Sequence, residues 1–161
     1  MSTSSAGYHH GDLRAACLHA AMELLEENGA TALSVRAVAR RAGVSPGAPY
    51  RHYADRDALI SAVAAEGYRE LAGHLAAVHA SPSTPDDLAA VAVAYVEFAL
   101  GRPALFRVMF GEPCDRDSSE RVAATAAISE YLGGIVRQSF PGAMRMAPSH
   151  KRFATANITD K

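Results

Sequence analysis

The 161-residue chain has no tryptophan and only two cysteines. Cys17 and Cys114 cannot form a disulfide framework, so stability must come from a buried core, which a chain of this length can build. Long apolar runs are also missing. The most apolar stretch, Leu88 to Val96, is nine residues long before Glu97 interrupts it, whereas a membrane-spanning helix needs about 20. The amino-terminal "MSTSSAGYHHGDLR" has no apolar segment of the signal-peptide kind. A cytoplasmic protein with no membrane association is therefore expected. No stretch alternates polar and apolar residues long enough to make a strand. Without strands there is no strand-linked glycine loop for a nucleotide. No Ser–His–Asp or Cys–His arrangement can be placed, so no catalytic residue, no enzymatic activity and no cofactor are expected. His9, His10 and Asp12 are the nearest approach to a metal set, but adjacent histidines rarely meet one metal with proper geometry, and no metal is expected.

What the chain does have is alanine, leucine and glutamate in helical patterns. A first helix is expected from an Asp12 cap to Gly29, with Leu13, Cys17, Ala20, Ala21, Leu24 and Leu25 as its apolar stripe. At that position Cys17 acts as a small hydrophobe. Ser34 caps a second, short helix through Ala42, which places Val35, Val38 and Ala39 inward and leaves Arg36, Arg40 and Arg41 available outside. Gly43 ends it, and Val44 is expected to be buried. A third short helix starts after Ser45, with Pro46 at its first position. Asp55 caps a fourth running to about His79, with a core face of Leu59, Ile60, Val63, Gly67, Leu71, Leu75 and Val78. Thr84, Pro85, Asp86 and Asp87 start a fifth, Pro103 a sixth, and Asp117 with Glu120 a seventh in the manner of a capping box, reaching Ser139. After Pro141 no period persists, and residues 141–161 read as a loose tail. The fold class is all-α.

The net charge is −1 and excludes no partner, but its distribution is uneven. Arg36, Arg40, Arg41, Arg51 and Arg56 face only Asp55 within their window, which leaves that window at +4 and the rest of the chain at −5. Such asymmetry suits an anionic polymer. The stretch "GVSPGAPYRHY", Gly43 to Tyr53, sits in its centre. Two short helices joined by a glycine-containing turn and backed by a longer helix describe a helix-turn-helix, whose second helix enters the DNA major groove by its amino end. Free amides there suit phosphate. Gly47 and Ala48 keep the tip small, so backbone can approach base edges. Pro46 costs no hydrogen bond, and Pro49 shortens the regular helix. Ser45 and Tyr50 carry hydroxyls for phosphate, Arg51 and His52 lie along the same edge, and Arg56 can meet the flanking backbone. Arg36, in the first turn of the second helix, can reach a guanine bidentately. Tyr53 is expected to pack in the core. The competing reading is a helical protein–protein interaction module whose basic window is only a solvated face.

"LSVRAVARRAGVSPGAPYRHYADRDALISAV", together with the "YHHGDLR" lead-in, the Ala-x-x-Gly-Val-Ser turn and the Tyr-x-x-Tyr pair, resembles the DNA-binding region of the TetR family of bacterial repressors from about Tyr8 to Val78. The resemblance implies that Arg36 reads a base, that Gly47 and Ala48 lie at the groove floor, and that Ser45, Tyr50, His52 and Arg56 hold the backbone. Pro46 replaces a polar residue that some relatives have. "AYVEFALGRPALFRVMFGEP" resembles a carboxy-terminal domain of one branch. That implies a small-molecule effector near Tyr95, Phe98, Phe106, Met109 and Phe110, and a homodimer on a near-palindromic double-stranded DNA operator. The expected organisation is a three-helix DNA-binding domain over 8–56, a helical effector-binding and dimerisation domain over 57–140, and the tail. The branch closes with a Trp-His-Gly helix; this chain lacks it, so an altered or truncated carboxy-terminus is expected. The function implied is that of a ligand-responsive transcriptional regulator, most simply a repressor.

Overall fold

In the computed structural model, α1 spans Leu13–Asn28 and buries Cys17, Ala20, Ala21, Leu24 and Leu25, the stripe that the 3.6-residue period predicts. The structure describes residues 13–115 and 117–139; the expected Asp12 cap and the 141–161 tail lie outside them. Gly29, at φ +76°, ends α1, and its amide donates to the Leu25 carbonyl at 2.8 Å. A single 3₁₀ turn, Ala30–Ala32, which the sequence pattern does not announce, leads to α2, Val35–Arg41. The Ser34 hydroxyl accepts the Ala37 amide at 3.1 Å and caps α2 as expected. At the other end Gly43 takes φ +68°. Its amide donates to Arg40 and that of Val44 to Ala39, at 3.3 and 3.0 Å, which is a Schellman closure that only glycine enters without strain. Val44 itself is half-buried rather than enclosed, packing against the edge of the core.

The expected third helix is replaced by a turn at Pro46–Gly47 and a four-residue 3₁₀ segment, Ala48–Arg51. The two prolines explain the difference. In an α-helix begun after Ser45, residue 49 would donate to the Ser45 carbonyl, and proline has no N–H to give. The Ala48 amide takes that carbonyl instead, at 3.0 Å, closing a tighter turn. Ser45 therefore closes a turn through its carbonyl, and the residue before the 3₁₀ segment is Gly47, with no side-chain cap bond. Pro49 is buried, and its carbonyl accepts both the His52 and Tyr53 amides at 2.9 Å. Tyr53, only 1% exposed, donates its hydroxyl to the Arg14 carbonyl on α1 at 3.1 Å and so locks the segment inward, as its expected core role requires.

Asp55 caps α3, Arg56–Val78, by accepting the Ala58 amide at 2.8 Å. Val78, the last residue of α3, is exposed, while Leu59, Ile60, Val63, Gly67, Leu71 and Leu75 are buried. A full capping box opens α4, Pro85–Gly101: Thr84 Oγ1 accepts the Asp87 amide at 3.2 Å, and Asp87 Oδ2 accepts the Ser83 and Thr84 amides at 3.0 Å. These bonds, that from Ser83 first and then those from Thr84, hold the Asp87 carboxyl below the ordinary aspartate range. Helix α5, Pro103–Phe110, leaves α4 at 103°, since Pro103 cannot continue an i→i−4 ladder. Helix α6, Ser119–Ser139, begins with the Val122 amide on the Ser118 carbonyl. Glu120, expected as half of a capping box, turns its carboxylate to Arg14 and Arg69, because two guanidinium groups attract it more strongly than one amide.

α3 is the shared element, packed against α1, α4, α5 and α6, and α1 also meets α5 directly. One apolar core runs through all of them, from Cys17 to Ile135. α5 comes close to α3 at Gly67. A Cβ there would lie 2.7 Å from Met109 Sδ and 3.0 Å from Leu105 Cδ1, so the absent side chain is what lets α5 sit on α3.

Candidate nucleic-acid interface

The residues expected to meet an anionic polymer fall into two groups. Ser45, Pro46, Gly47, Arg51 and His52 are exposed, as are Tyr50, at 46%, and Arg36. Ala48 is half-buried, beside the buried Pro49. Within the 3₁₀ segment Pro49 is buried, Ala48 half-buried, and Tyr50 and Arg51 are exposed. His52 lies edge-on to Tyr53 with ring centres 6.4 Å apart. Arg36, Arg40 and Arg51 make no ion pair or side-chain hydrogen bond among the described residues. A four-residue turn carries little of the macrodipole that a true helix would aim at a phosphate. Attraction at this tip has to come from side chains and single amides.

The second group is engaged internally. Arg41, expected to be available outside, donates Nε to Glu23 Oε2 at 3.0 Å and Nη2 to Glu27 Oε1, tying α2 to α1. Arg56 donates Nε to the Leu33 carbonyl at 3.2 Å and Nη2 to that of Ala30 at 3.0 Å, with Glu112 Oε2 3.6 Å away. It staples the α1–α2 connection to the start of α3. Sequence spacing cannot reveal these roles, since the partners lie 14 to 26 residues away, or beyond α5 in the case of Glu112.

The five residues expected near an effector are also divided. Tyr95 meets Phe106 edge to face at 5.8 Å, Phe106 meets Phe110 at 4.7 Å, and Phe110 meets Tyr68 at 5.5 Å. Tyr68, on α3, carries no local sequence signal for this role, and its hydroxyl donates to the Met109 carbonyl at 2.9 Å. Burial, and then Tyr68, push the Tyr95 hydroxyl pKa up. Phe110 is half exposed, so the aromatic row reaches the surface. Phe98 leaves the row to face His74 on α3, and Met109 is fully enclosed under Gly67.

Comparison with known proteins agrees with this architecture. Residues 18–63 match the family described as "Bacterial regulatory proteins, tetR family", and residues 88–157 match "Tetracyclin repressor-like, C-terminal domain". The HTH-type transcriptional regulator Rv1816 of Mycobacterium tuberculosis is 33% identical over 92 residues, covering 55% of this chain and 39% of that protein. The chain thus spans about two fifths of the length of that relative. A solved protein of unknown function from Rhodococcus sp. RHA1 superposes with a TM-score of 0.70 at 37% identity, over 89% of this chain and 75% of the other. A bacterial regulatory protein in the tetR family from Rhodococcus RHA1 shares the fold, with a TM-score of 0.60 at 24% identity over 84% and 73% of the two chains. A capped α2, a glycine-closed turn, an outward tip and the start of a long shared α3 thus fall within the first family match, while α4 from Leu88, α5 and α6 fall in the second, and the chain belongs to the TetR family of bacterial regulatory proteins.

Proposed function

We propose that this chain is a DNA-binding transcriptional regulator rather than an enzyme, with α1, α2 and the Gly43–Tyr53 segment as its reading head. The observation that carries the proposal is the unpaired set Arg36, Arg40 and Arg51, among the described residues, around an exposed, proline-stiffened tip. Exposed guanidinium groups without internal partners are free to release counterions from a DNA backbone. Arg36 would read a base edge in the major groove; Ser45, Tyr50 and His52 would hold phosphates; Pro46, Gly47 and Ala48 would face the groove floor. Arg56 makes a smaller contribution to this reading than its place in the sequence suggests, since its guanidinium already holds two carbonyls.

The finer reading is a cytoplasmic repressor acting as a homodimer, with two heads about 34–36 Å apart on a near-palindromic operator. The effector would be a small aromatic or apolar molecule that seats against Tyr95, Phe106 and Phe110, with Phe98 and Met109 behind. If it binds better to a form with another head separation, it moves the population off DNA.

Fluorescence anisotropy with double-stranded DNA from upstream of the protein's own reading frame, titrated over salt, tests the proposal. Three or four neutralised phosphates per head give a log–log slope of roughly −5 to −7 for a dimer and about half that for a monomer. A slope near zero would overturn groove docking and leave a helical protein–protein module as the better reading.

A further inference from the structure

The α1–α2 head is joined to α4, α5 and α6 by arginine contacts at separate points. Arg14 of α1 reaches Glu120 of α6, which also holds Arg69 of α3. Arg56 joins the α1–α2 connection to Glu112 beyond α5. Arg102 is placed differently from these, in the bend itself. It ends α4 and begins α5 with φ −128° and ψ 55°, outside the regular helical and extended regions. Its guanidinium donates Nε to Glu26 Oε1 of α1 and Nη1 to Glu70 Oε2 of α3, both at 2.7 Å. One planar fork thus holds two carboxylates from two helices at once, at the short distances of charge-assisted bonds. Its backbone is tied to the aromatic residues on either side: the Arg102 amide donates to the Phe98 carbonyl, and its own carbonyl accepts the Phe106 amide, each at 2.9 Å.

We infer that Arg102 is a positioning residue that fixes the angle of the head on the body. The side chain spans α1 and α3 from the 103° bend between α4 and α5. A change in the α4–α5 angle displaces the guanidinium, and α1 either follows or is released. Helix α1 carries the head through its buried stripe, through the Tyr53 hydroxyl on Arg14 and through the Arg41 pairs on Glu23 and Glu27. The side chains of Arg102, Glu26 and Glu70 are each about one third exposed, so salt screens the fork. Head placement is therefore sensitive to ionic strength apart from any effect of salt on DNA. The assignment gives the proposed DNA-binding reading a way to orient its head, but its geometry stands without DNA.

The test measures the head–body distance directly. Spin labels are placed at Arg40→Cys on α2 and Ala126→Cys on α6, both exposed positions, in a Cys114→Ser background; Cys17 is fully buried and stays unlabelled. Electron–electron double resonance on the full chain should give one narrow distribution. Arg102→Ala and Glu26→Gln should each shift or broaden it by about 2 Å, the upper end of an ordinary helix shift at an interface. Arg102→Lys should fall between, because an ammonium holds one carboxylate well and not two in a fixed fork. High salt should move the parent toward the Arg102→Ala distribution and shift that variant less, through the remaining Arg14 and Arg56 pairs. Melting temperatures should stay close together, which separates positioning from loss of fold. Superimposable distributions for the parent and Arg102→Ala would overturn the assignment, as would an equal shift from Glu97→Gln, an exposed α4 carboxylate outside the fork. No DNA enters the measurement, so a failure of DNA binding and a failure of this inference are separate results.

Discussion

Arg40 and Arg41 are neighbours on α2 and have opposite surroundings. Arg41 turns back to two glutamates of α1, while Arg40 points to solvent with no ion pair among the described residues. The contrast extends over the molecule. On the outer face of the head, Arg36, Arg40 and Arg51 are unpaired among the described residues. At the joint, Arg14, Arg56, Arg69 and Arg102 each meet a carboxylate, and Arg56 adds two carbonyls. The same residue type serves two purposes, and the difference is which carboxylates lie within reach. Half-exposed pairs each contribute little to stability, so the joint is adjustable. Unpaired cations contribute still less to the fold, and their physical use lies outside it.

The largest effect should come from removing the unpaired set. Arg36→Ala, Arg40→Ala and Arg51→Ala together should weaken DNA binding by about 10²–10³-fold at 0.1 M salt, and the log–log slope should shrink by roughly 0.9 for each phosphate no longer neutralised. Urea unfolding should barely change, as for surface substitutions generally. A large loss of stability would mean that these arginines belong with the joint after all. Arg36→Ala alone should cost about 1–3 kcal/mol and relax one base position; an equal loss on every sequence would make it a phosphate-binding residue.

The next prediction disturbs the joint and leaves the outer face alone. Gly67→Ala pushes a methyl into Met109, which is fully enclosed. Destabilisation of about 1–3 kcal/mol is expected, partly relieved by Met109→Val, with denaturant midpoints as the readout. Tyr53→Phe should cost less, about 0.5–1.5 kcal/mol for the missing bond to the Arg14 carbonyl, with DNA affinity reduced only as far as the tip loosens. The smallest effect belongs to Asp87. Its carboxyl is held low in the folded chain, so its contribution to the α4 cap is present above the ordinary aspartate value of about 3.9. That contribution is lost as pH falls through the depressed folded value. Far-UV circular dichroism should show a small loss of helix in that acid range, absent in Asp87→Asn.

Local signals make most of the helices legible. Ser34, Asp55 and Thr84 cap where their side-chain chemistry says they should, and Gly29 and Gly43 terminate helices because both need positive φ. The 3₁₀ segment reads as a helix because a proline at a helix start is favourable by itself, whereas a second proline three residues later removes the donor that would have continued the helix. Glu120 misleads for a longer-range reason. Its partners Arg14 and Arg69 are 106 and 51 residues away, and no spacing rule couples them. Exposure at the candidate interface is legible from Ser45 to Gly47 and from Tyr50 to His52, and obscure at Arg41 and Arg56, whose surroundings are set by tertiary packing. Arg102 gives no local signal at all, since a basic residue before a proline reads as a simple stop between helices.

The paired prolines of the tip have one more consequence. Each holds its φ near −65° whatever the chain touches, and Pro49 is wedged inside by the amides of His52 and Tyr53. The segment has few alternative shapes in the free protein, so little conformational entropy remains to be surrendered when it engages a surface. Discrimination at this tip should come from fit against a rigid outline, and replacing Pro46 with a flexible residue should slow association more than it speeds release.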